Sequence, residues 1–287
     1  MTESLLDTHP VAFDLVTLAG AAVAGCFGAL VGLGGGLLVV PLLVLGLGVE
    51  MHLAMGASLV AVIATSTGAA AARGRDELSN YRVGMFLELA ATVGAVGGAL
   101  LAAMANPAWL MLLFGGILYL TAGLSWRQKG DVDTSGMPED PWSRSLRLDG
   151  RVRTRDGERE YRVQRPGGGF LVMLGAGVVS GLLGIGSGVL KVLAMDTLMK
   201  MPFKVSTTTS NFMIGLTAAA SVGVYVSNGN VDPMITAPVL LGIVPGAMLG
   251  ARLVPVLRTE WLRRMFLVAL VLVATNMVVR GGRAVLP

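Results

Sequence analysis

Apolar stretches of roughly bilayer-spanning length follow one another along nearly the whole chain of 287 residues. In the first half they lie at about 11–31, 36–48, 53–72, 83–104 and 109–126. A helix needs about 20 apolar residues to cross the hydrocarbon core of a bilayer. A water-soluble protein of this length has too little interior to hide so much apolar surface. The pattern therefore predicts an all-α integral membrane protein with about ten transmembrane or half-membrane helices.

The composition agrees with this class and argues against several others. Hydrophobic residues make up 54% of the chain and charged residues only 14%. Cys26 is the only cysteine, so the chain has neither an internal disulfide nor a cysteine-based metal cluster. The sequence contains no phosphate-binding loop, zinc-ligand spacing or nucleotide fingerprint. We therefore expect no cofactor, no metal and no nucleic-acid partner, and we attribute the net charge of +4 to loops near the membrane surface.

Two glycine-rich segments, at residues 32–36 and 184–188, interrupt the apolar pattern at matching places in the two halves. We call them the first and second glycine knots. Glycine lets a backbone bend and approach a ligand closely because it has no Cβ. Irregular backbone at membrane depth is tolerated only where protein or a water-filled cavity surrounds it, so paired interruptions indicate a transport site. The predicted site residues within the knots are Gly34, Gly35, Gly36, Gly186, Ser187 and Gly188.

The second half of the sequence repeats the spacing of the first. A shift of 152 residues, the difference between 34 and 186, places Gly34 on Gly186. The same shift, without a gap, also aligns two tryptophans, which shared small apolar residues do not explain. This indicates an internal duplication, with a first membrane repeat at 11–126 and a second at 168–280.

The loop charges predict how the repeats are oriented. Residues 127–167 hold ten Lys or Arg and eight Asp or Glu, which indicates a polar cytoplasmic linker. Five segments per half, counting those on either side of a knot separately, place most loop Lys and Arg on the linker side and both termini in the periplasm. Four segments would make the repeats parallel. The loop at 227–232 has no Lys or Arg, whereas its repeat equivalent at 73–80 is basic. Inversion explains this difference, so we predict two inverted repeats in the cell inner membrane.

The linker itself contains a hairpin signal. Residues 152–155 and 160–163 alternate like two short strands around Asp156-Gly157. Both a small ordered flap and a mobile loop agree with this pattern.

The knots are also candidates for an anion site. An inverted repeat with interrupted helices is typical of an alternating-access transporter. The short apolar segments after the knots would begin near mid-membrane, where a helix N-terminus offers unpaired N–H groups and the positive end of its dipole. The alternative is that the glycines only allow helices to pack closely.

Polar side chains inside the apolar stretches are further candidates. Lys191 lies three residues beyond the second knot, and an intramembrane charge is a functional candidate by default. It would bind the anion, pair with Asp196, or extend towards the membrane surface. Ser58, Ser210 and Asn211 follow the knots, and they would bind anion oxygens or their own helix backbone.

Two carboxylates, Glu88 and Asp196, fall within predicted spans. Either would carry a coupling proton or balance a nearby base. His52 and Ser58 are the one nearby serine–histidine pair, and a spacing of six does not place them on one helix face. We therefore predict no catalytic residues and no enzyme activity.

These motifs resemble those of a known family. The run Gly32-Leu33-Gly34-Gly35-Gly36, followed by Val40-Pro41 and Ala57-Ser58, is similar to the signature of the TauE/SafE-type sulfite exporters, also called TSUP proteins. The run Gly184-Ile185-Gly186-Ser187-Gly188, followed by residues 206–211, resembles the second motif of that family. The resemblance covers nearly all of both membrane halves but does not clearly cover the linker.

The resemblance implies a carrier that moves a small anion, such as sulfite or an organosulfonate, often outwards and with ion coupling. The alternatives are an anion channel and a transporter of another small organic anion. The sequence departs from the family pattern at Ser187, where a third glycine is usual, and at Leu193, where the first half has Pro41. The oligomeric state and the direction of transport stay open.

Overall fold

Helices make up most of the computed structural model, which describes residues 10–31, 34–73, 79–127, 138, 140–154, 157–253 and 259–285. The helices of the first half are α1 (Pro10–Val31), α2 (Gly36–Pro41), α3 (Met51–Arg73), α4 (Tyr81–Met104) and α5 (Pro107–Arg127). The linker contains α6 (Pro141–Leu146), β1 (Gly150–Thr154) and β2 (Gly157–Tyr161). The second half contains α7 (Pro166–Leu183), α8 (Gly188–Leu193), α9 (Phe203–Ser227), α10 (Pro233–Leu253) and α11 (Thr259–Val285).

Seven of these helices are long and apolar enough to cross a membrane: α1, α3, α4, α5, α7, α9 and α10. The short helices α2 and α8 each continue into a π-helical turn, Leu42–Gly46 and Ala194–Leu198. At 1.5 Å per residue, the apolar segment Gly36–Gly46 spans about 16 Å, roughly half of the hydrocarbon core. The predicted class, an all-α integral membrane protein that crosses the bilayer several times, is confirmed.

Side-chain caps fix where several of the long helices begin. Asn80 accepts a hydrogen bond from the Val83 amide, 3.1 Å away, at the start of α4. Asp232 accepts one from the Met234 amide at 2.8 Å at the start of α10, where Pro233 is the first helical residue. Proline suits that position because its missing N–H group would have had no partner within the helix. These polar caps mark the turns between apolar segments.

Glycines allow the long helices to touch backbone to backbone. In the pair α4–α7, Gly94 lies against the carbonyl group of Leu174 and Gly98 against that of Val178, so any side chain at either glycine would clash. Because both residue numbers rise together, α4 and α7 run in the same direction. The contact uses the small-residue packing that is typical of membrane helices.

The pair α1–α10 is the repeat equivalent of α7–α4 and packs in the same way. Gly242 lies against the carbonyl group of Leu18, and Gly246 against that of Ala22. Each long pair therefore joins one helix from the first half to one from the second, so the halves interlock instead of forming separate bundles.

Two further pairs run in opposite directions. In α5–α11, a Cβ atom on Gly115 would lie 3.0 Å from the Ala274 carbonyl oxygen, and one on Gly281 would lie 3.1 Å from that of Ala108. The residue numbers fall on one helix as they rise on the other, so the pair is antiparallel.

The central helices α3 and α9 are also antiparallel. Gly56, near the start of α3, lies against Asn230, just beyond the end of α9. At the other end, the amide of Asn80, which follows α3, donates to Thr209 Oγ1 near the start of α9, at 3.1 Å. The apolar core of the membrane region surrounds this crossing.

The linker forms a hairpin, one of the two possibilities that its pattern left open, and both strands begin earlier than predicted. β1 and β2 pair antiparallel, with Arg151 opposite Glu160. The second strand begins at Gly157 instead of residue 160, while Arg155 and Asp156 lie outside the described residues.

The linker was predicted to be polar, but its described part has an apolar side that is buried. Leu148, Tyr161 and Val163 lie in one cluster with Met199 and other residues of the membrane helices. The Asn80 amide nitrogen Nδ2 also donates to the Tyr161 hydroxyl at 2.8 Å. The polar composition concealed this contact because Val152 and Tyr161 are the large apolar residues of the two strands and stand among charged ones. The described part of the linker is therefore a docked flap.

Candidate functional site

The first knot turns the chain from α1 into the short helix α2. Gly34 has φ +69°, a left-handed conformation in which a Cβ atom is disfavoured. Gly35 has φ −65° and precedes the first residue of α2, Gly36. The Gly35 carbonyl accepts hydrogen bonds from the amides of Leu38 and Val39 at 3.1 and 3.2 Å. Gly32 and Leu33 lie outside the described residues.

The second knot repeats this turn with one difference. Gly186 has φ +72°, close to the value at Gly34. Ser187 has φ +46°, whereas its repeat equivalent Gly35 has φ −65°. A left-handed residue with a side chain costs roughly 1–2 kcal/mol. The departure of Ser187 from the family motif therefore coincides with a real difference in backbone conformation.

Ser58 on α3 connects the two knots. Its hydroxyl lies 3.1 Å from the Gly36 carbonyl oxygen and 2.8 Å from that of Gly184, and its single proton can be donated to either. Ser210 on α9, the repeat equivalent of Ser58, donates to the Gly188 carbonyl at 3.2 Å. Both predicted serines thus hold the backbone at the start of a short helix. Asn211, the next residue on α9, is half-buried.

A small cavity lies beside the second knot. Ser187 and Gly188 line it together with Thr121 of α5, Leu37 of α2 and three other apolar residues. Ser187 is only 4% exposed, and its hydroxyl has no hydrogen-bond partner among the described residues. The cavity measures about 10 Å³, which is room for about one water molecule. The cavity is therefore too small for a solute larger than water.

Lys191 is fully buried, and its charge is paired with that of Glu88, one of the two predicted coupling residues. Its ammonium nitrogen Nζ lies 3.4 Å from Glu88 Oε2 and 3.2 Å from the Met213 carbonyl oxygen, and it also donates to Thr217 Oγ1. The sequence suggested an anion or Asp196 as its partner. The structure instead joins it to Glu88, so α4, α8 and α9 meet at one ion pair.

Two threonines and Lys191 donate hydrogen bonds to the Glu88 carboxylate. It is 6% exposed, and its Oε1 atom accepts from Thr217 Oγ1 at 2.6 Å and from Thr92 Oγ1 at 3.3 Å. Burial of a charge is tolerated when the charge is paired and hydrogen-bonded. Sequence reasoning missed both threonines. The spacing of four between Glu88 and Thr92, which places two polar side chains on one helix face, was the available signal.

The ion pair joins the two halves and has no counterpart at the repeat-related positions. A shift of 152 residues relates Glu88 to Leu240, and it relates Lys191 back to Val39. The equivalent position in the other half is therefore apolar. The repeat-equivalent helices pack without such charges, so the fold does not require them.

Asp196, the other predicted coupling residue, follows Lys191 by five residues. It is half-buried in the π-helical turn Ala194–Leu198. Met195 and Met199, from the same turn and the residue after it, belong to the cluster beneath the linker.

His52 and Ser58 do not form a serine–histidine pair in the structure. His52 Nε2 lies 3.1 Å from the Ala102 carbonyl oxygen, and its Nδ1 lies 3.4 Å from Glu50 Oε1. The hydrogen bonds of Ser58 lead to the knots instead. Within the described ranges there is also no group of three His, Cys, Asp or Glu that is able to hold a metal ion.

Comparison with known proteins agrees with this architecture. The family model "Sulfite exporter TauE/SafE" matches residues 17–277. "Probable membrane transporter protein YunE" of Bacillus subtilis (strain 168) is 26% identical over 266 residues, which cover 90% of this chain and 95% of YunE. "Probable membrane transporter protein YdhB" of the same organism is 26% identical over 229 residues, 77% of this chain and 82% of YdhB. No solved structure matches the chain.

These matches confirm two predictions, that the protein is a membrane transporter and that it is not an enzyme. Both relatives are named as transporters. The matched region spans both knots, the ion pair and all but the ends of the membrane helices. The chain is therefore a multi-pass membrane transporter that belongs to the TauE/SafE sulfite exporter family.

Proposed function

We propose that this protein is a carrier that moves a small anion, sulfite or an organosulfonate, across the inner membrane by alternating access. The observation that carries the proposal is the meeting of the two knots at Ser58, whose hydroxyl reaches Gly36 of the first knot and Gly184 of the second. Two short helices, α2 and α8, begin at this point. Their N-terminal N–H groups and dipoles favour an anion.

The directions of the helix pairs support an inverted repeat, with repeats at 11–126 and 168–280. If each half has five membrane segments, α5 and α11 cross the membrane in opposite directions, and so do α3 and α9. With four segments per half, both pairs would be parallel. The contacts Gly115–Ala274 and Gly281–Ala108 are antiparallel, which favours five segments.

In this arrangement the linker is cytoplasmic and both termini are periplasmic, because most loop Lys and Arg then lie inside. A variant without Cys26 allows single cysteines to be placed at Thr8, in the linker and at Arg283. A membrane-impermeant thiol reagent added outside should label the termini and spare the linker. Labelling of the linker alone from outside would contradict this orientation.

The anion would bind between the knots, in contact with backbone N–H groups and the Ser187 hydroxyl. A buried hydroxyl without a partner is costly, and an anion oxygen would satisfy it. The backbone would approach the anion closely at the knot glycines Gly34, Gly35, Gly36, Gly186 and Gly188. The polar side chains of Ser58, Ser210 and Asn211 would hold the backbone of the knots or contact the anion. Because the cavity beside Ser187 admits only about one water molecule, binding requires the knots to move apart.

We further assign proton coupling to the Glu88–Lys191 pair. While Glu88 is ionised it cancels the charge of Lys191, which then has little attraction for an anion. Protonation of Glu88 would leave the Lys191 charge uncompensated in a medium of low dielectric constant, where it attracts an anion strongly. Proton and anion would therefore bind together. Asp196 stays the alternative coupling residue.

Uptake into proteoliposomes tests the proposal. The purified protein would be supplied with radiolabelled sulfite, an organosulfonate, sulfate or acetate, with and without a proton gradient. We expect saturable uptake of sulfite or the sulfonate that a Gly186→Ala variant lacks. Equal, unsaturable uptake of all four anions, or none with any of them, would overturn the proposed function.

A further inference from the structure

Two aliphatic side chains occupy the space where the knots approach each other. Val62 lies on α3 and Ile214 on α9, and they are 0% and 1% exposed. The shift of 152 residues that relates the repeats also relates these two positions. Each central helix therefore contributes one branched apolar residue at the same point of the repeat.

Both side chains contact the second knot. A Cβ atom on Gly186 would lie 2.7 Å from Ile214 Cγ2 and 3.0 Å from Val62 Cγ1. These distances are shorter than the usual contact between carbon atoms. Gly186 is therefore packed directly against the two aliphatic groups, without room for a methyl group.

Both side chains also contact the first knot. A Cβ atom on Gly34 would lie 3.7 Å from Ile214 Cγ2, and one on Gly36 would clash with Val62 Cγ2. The pair thus lies between the knots and touches each of them. The side chains of Val62 and Ile214 therefore separate the backbone groups of the two knots, which would have to face the same anion.

An apolar constriction opposes the passage of water and ions. An ion that enters it loses hydration without gaining polar partners, which is costly. Hydrophobic constrictions close some channels in this way. The nearby cavity of about 10 Å³ does not widen the path enough for a hydrated ion.

We propose that Val62 and Ile214 form a central apolar barrier that prevents ion leakage through the carrier and separates only when the anion binds between the knots. This inference rests on the proposed function. Since the anion must replace the two side chains, their size also limits the largest anion that fits.

Threonine substitutions test the barrier, because threonine resembles valine in shape and adds a hydroxyl. The variants are Val62→Thr, Ile214→Thr and the double variant, with Val205→Thr as the matched control. Val205 is also buried on α9, but it lies in the cluster beneath the linker. Chloride leakage from proteoliposomes without substrate, thermal stability and sulfite uptake would be measured for each.

We expect the double variant to leak roughly tenfold faster than wild type, which corresponds to a barrier lowered by about 1.4 kcal/mol. The control should leak like wild type. Wild-type leakage from a folded double variant would overturn the inference. If the double variant does not fold, Val62→Thr carries the test alone, since it changes one group at nearly constant volume.

The failure of the proposed function would look different. In that case wild-type protein would take up none of the labelled anions, or all of them equally and without saturation, whatever the leakage of the variants. Normal wild-type uptake together with unchanged leakage in the variants would remove only the barrier.

A larger anion provides a second readout. Val62→Ala together with Ile214→Val enlarges the space between the knots without adding polarity. We expect this variant to accept a bulkier sulfonate than wild type does, relative to sulfite. An unchanged preference in a folded variant would contradict a role for these two residues in size selection.

Discussion

The ammonium nitrogen of Lys191 lies 3.4 Å from the carboxylate of Glu88, 103 residues earlier in the chain and on another helix. The two residues are 0% and 6% exposed. A buried pair of this kind adds little stability compared with apolar side chains, but removing one partner is expensive. Its function is therefore best tested by comparing single with double substitutions.

Lys191→Met should destabilise the protein by about 3–5 kcal/mol, because it leaves the Glu88 carboxylate buried without a counter-charge. Lys191→Met combined with Glu88→Gln should recover most of that loss, since the amide oxygen still accepts from Thr217. Thermal unfolding in detergent measures both effects. Lys191→Met combined with Asp196→Asn is the control, and recovery of stability there would show that Asp196 is the true partner.

Glu88→Gln should abolish the dependence of anion uptake on a proton gradient. The amide cannot release or accept the coupling proton. Because the substitution leaves Lys191 buried without a counter-charge, it should also lower stability, so uptake is compared at equal amounts of folded protein. Uptake in proteoliposomes with and without an inward proton gradient measures the effect. Asp196→Asn should keep the dependence, and its loss in that variant alone would move the coupling role to Asp196.

Gly186→Ala should abolish transport and cost more than about 1–2 kcal/mol, the usual penalty for a left-handed residue with a side chain, because the methyl group also overlaps its neighbours. Gly186 has φ +72°, and its new methyl group would press on Ile214. Gly97→Ala is the control, because Gly97 lies within α4 with open space around its Cβ position. Stability and sulfite uptake would be compared, and normal transport by Gly186→Ala would exclude the second knot from the site.

Tyr161 should make the docking of the linker sensitive to alkaline pH. Burial raises the pKa of Tyr161 to about 12, and the charge of Asp149 adds to this, while the hydrogen bond from Asn80 acts in the opposite direction. The unfolded chain loses its phenolic proton first, near pH 10. Stability is therefore complete below about pH 10 and falls as the pH rises towards 12.

Tyr161→Phe should remove this alkaline loss and cost about 1 kcal/mol at neutral pH, because the hydrogen bond with Asn80 is lost. Tyr81→Phe is the control, since Tyr81 is 56% exposed. Unfolding curves between pH 8 and about 12 would measure both effects. An equal alkaline loss in Tyr161→Phe would contradict the assignment.

The membrane architecture was largely predictable from the sequence, because apolar runs and glycine interruptions are local signals. The start of α2 at Gly36 and of α8 at Gly188 follows directly from the knots. The linker hairpin was predicted from the Asp156-Gly157 turn. Its docking was not, since the few apolar residues that face the membrane helices, such as Tyr161 and Val163, stand among charged ones.

The contacts of the candidate site were harder to predict. The partner of Lys191 is Glu88, and no periodicity links residues that far apart on different helices. The bridge from Ser58 to Gly184 is equally remote in sequence. Val62 and Ile214 gave no signal at all, because two apolar residues in apolar helices look like ordinary packing. Their positions appear only when the knots are seen to meet.

Counterflow of sulfite distinguishes a carrier from a channel, because it requires one site that faces the two sides in turn. Proteoliposomes loaded with unlabelled sulfite would be diluted into a trace of radiolabelled sulfite. If the protein is a carrier, label should accumulate transiently above equilibrium, and this accumulation should be absent from Gly186→Ala and reduced when unlabelled sulfite is left out. Label that only equilibrates, at a rate unaffected by internal sulfite, would indicate a channel and contradict the proposed alternating access.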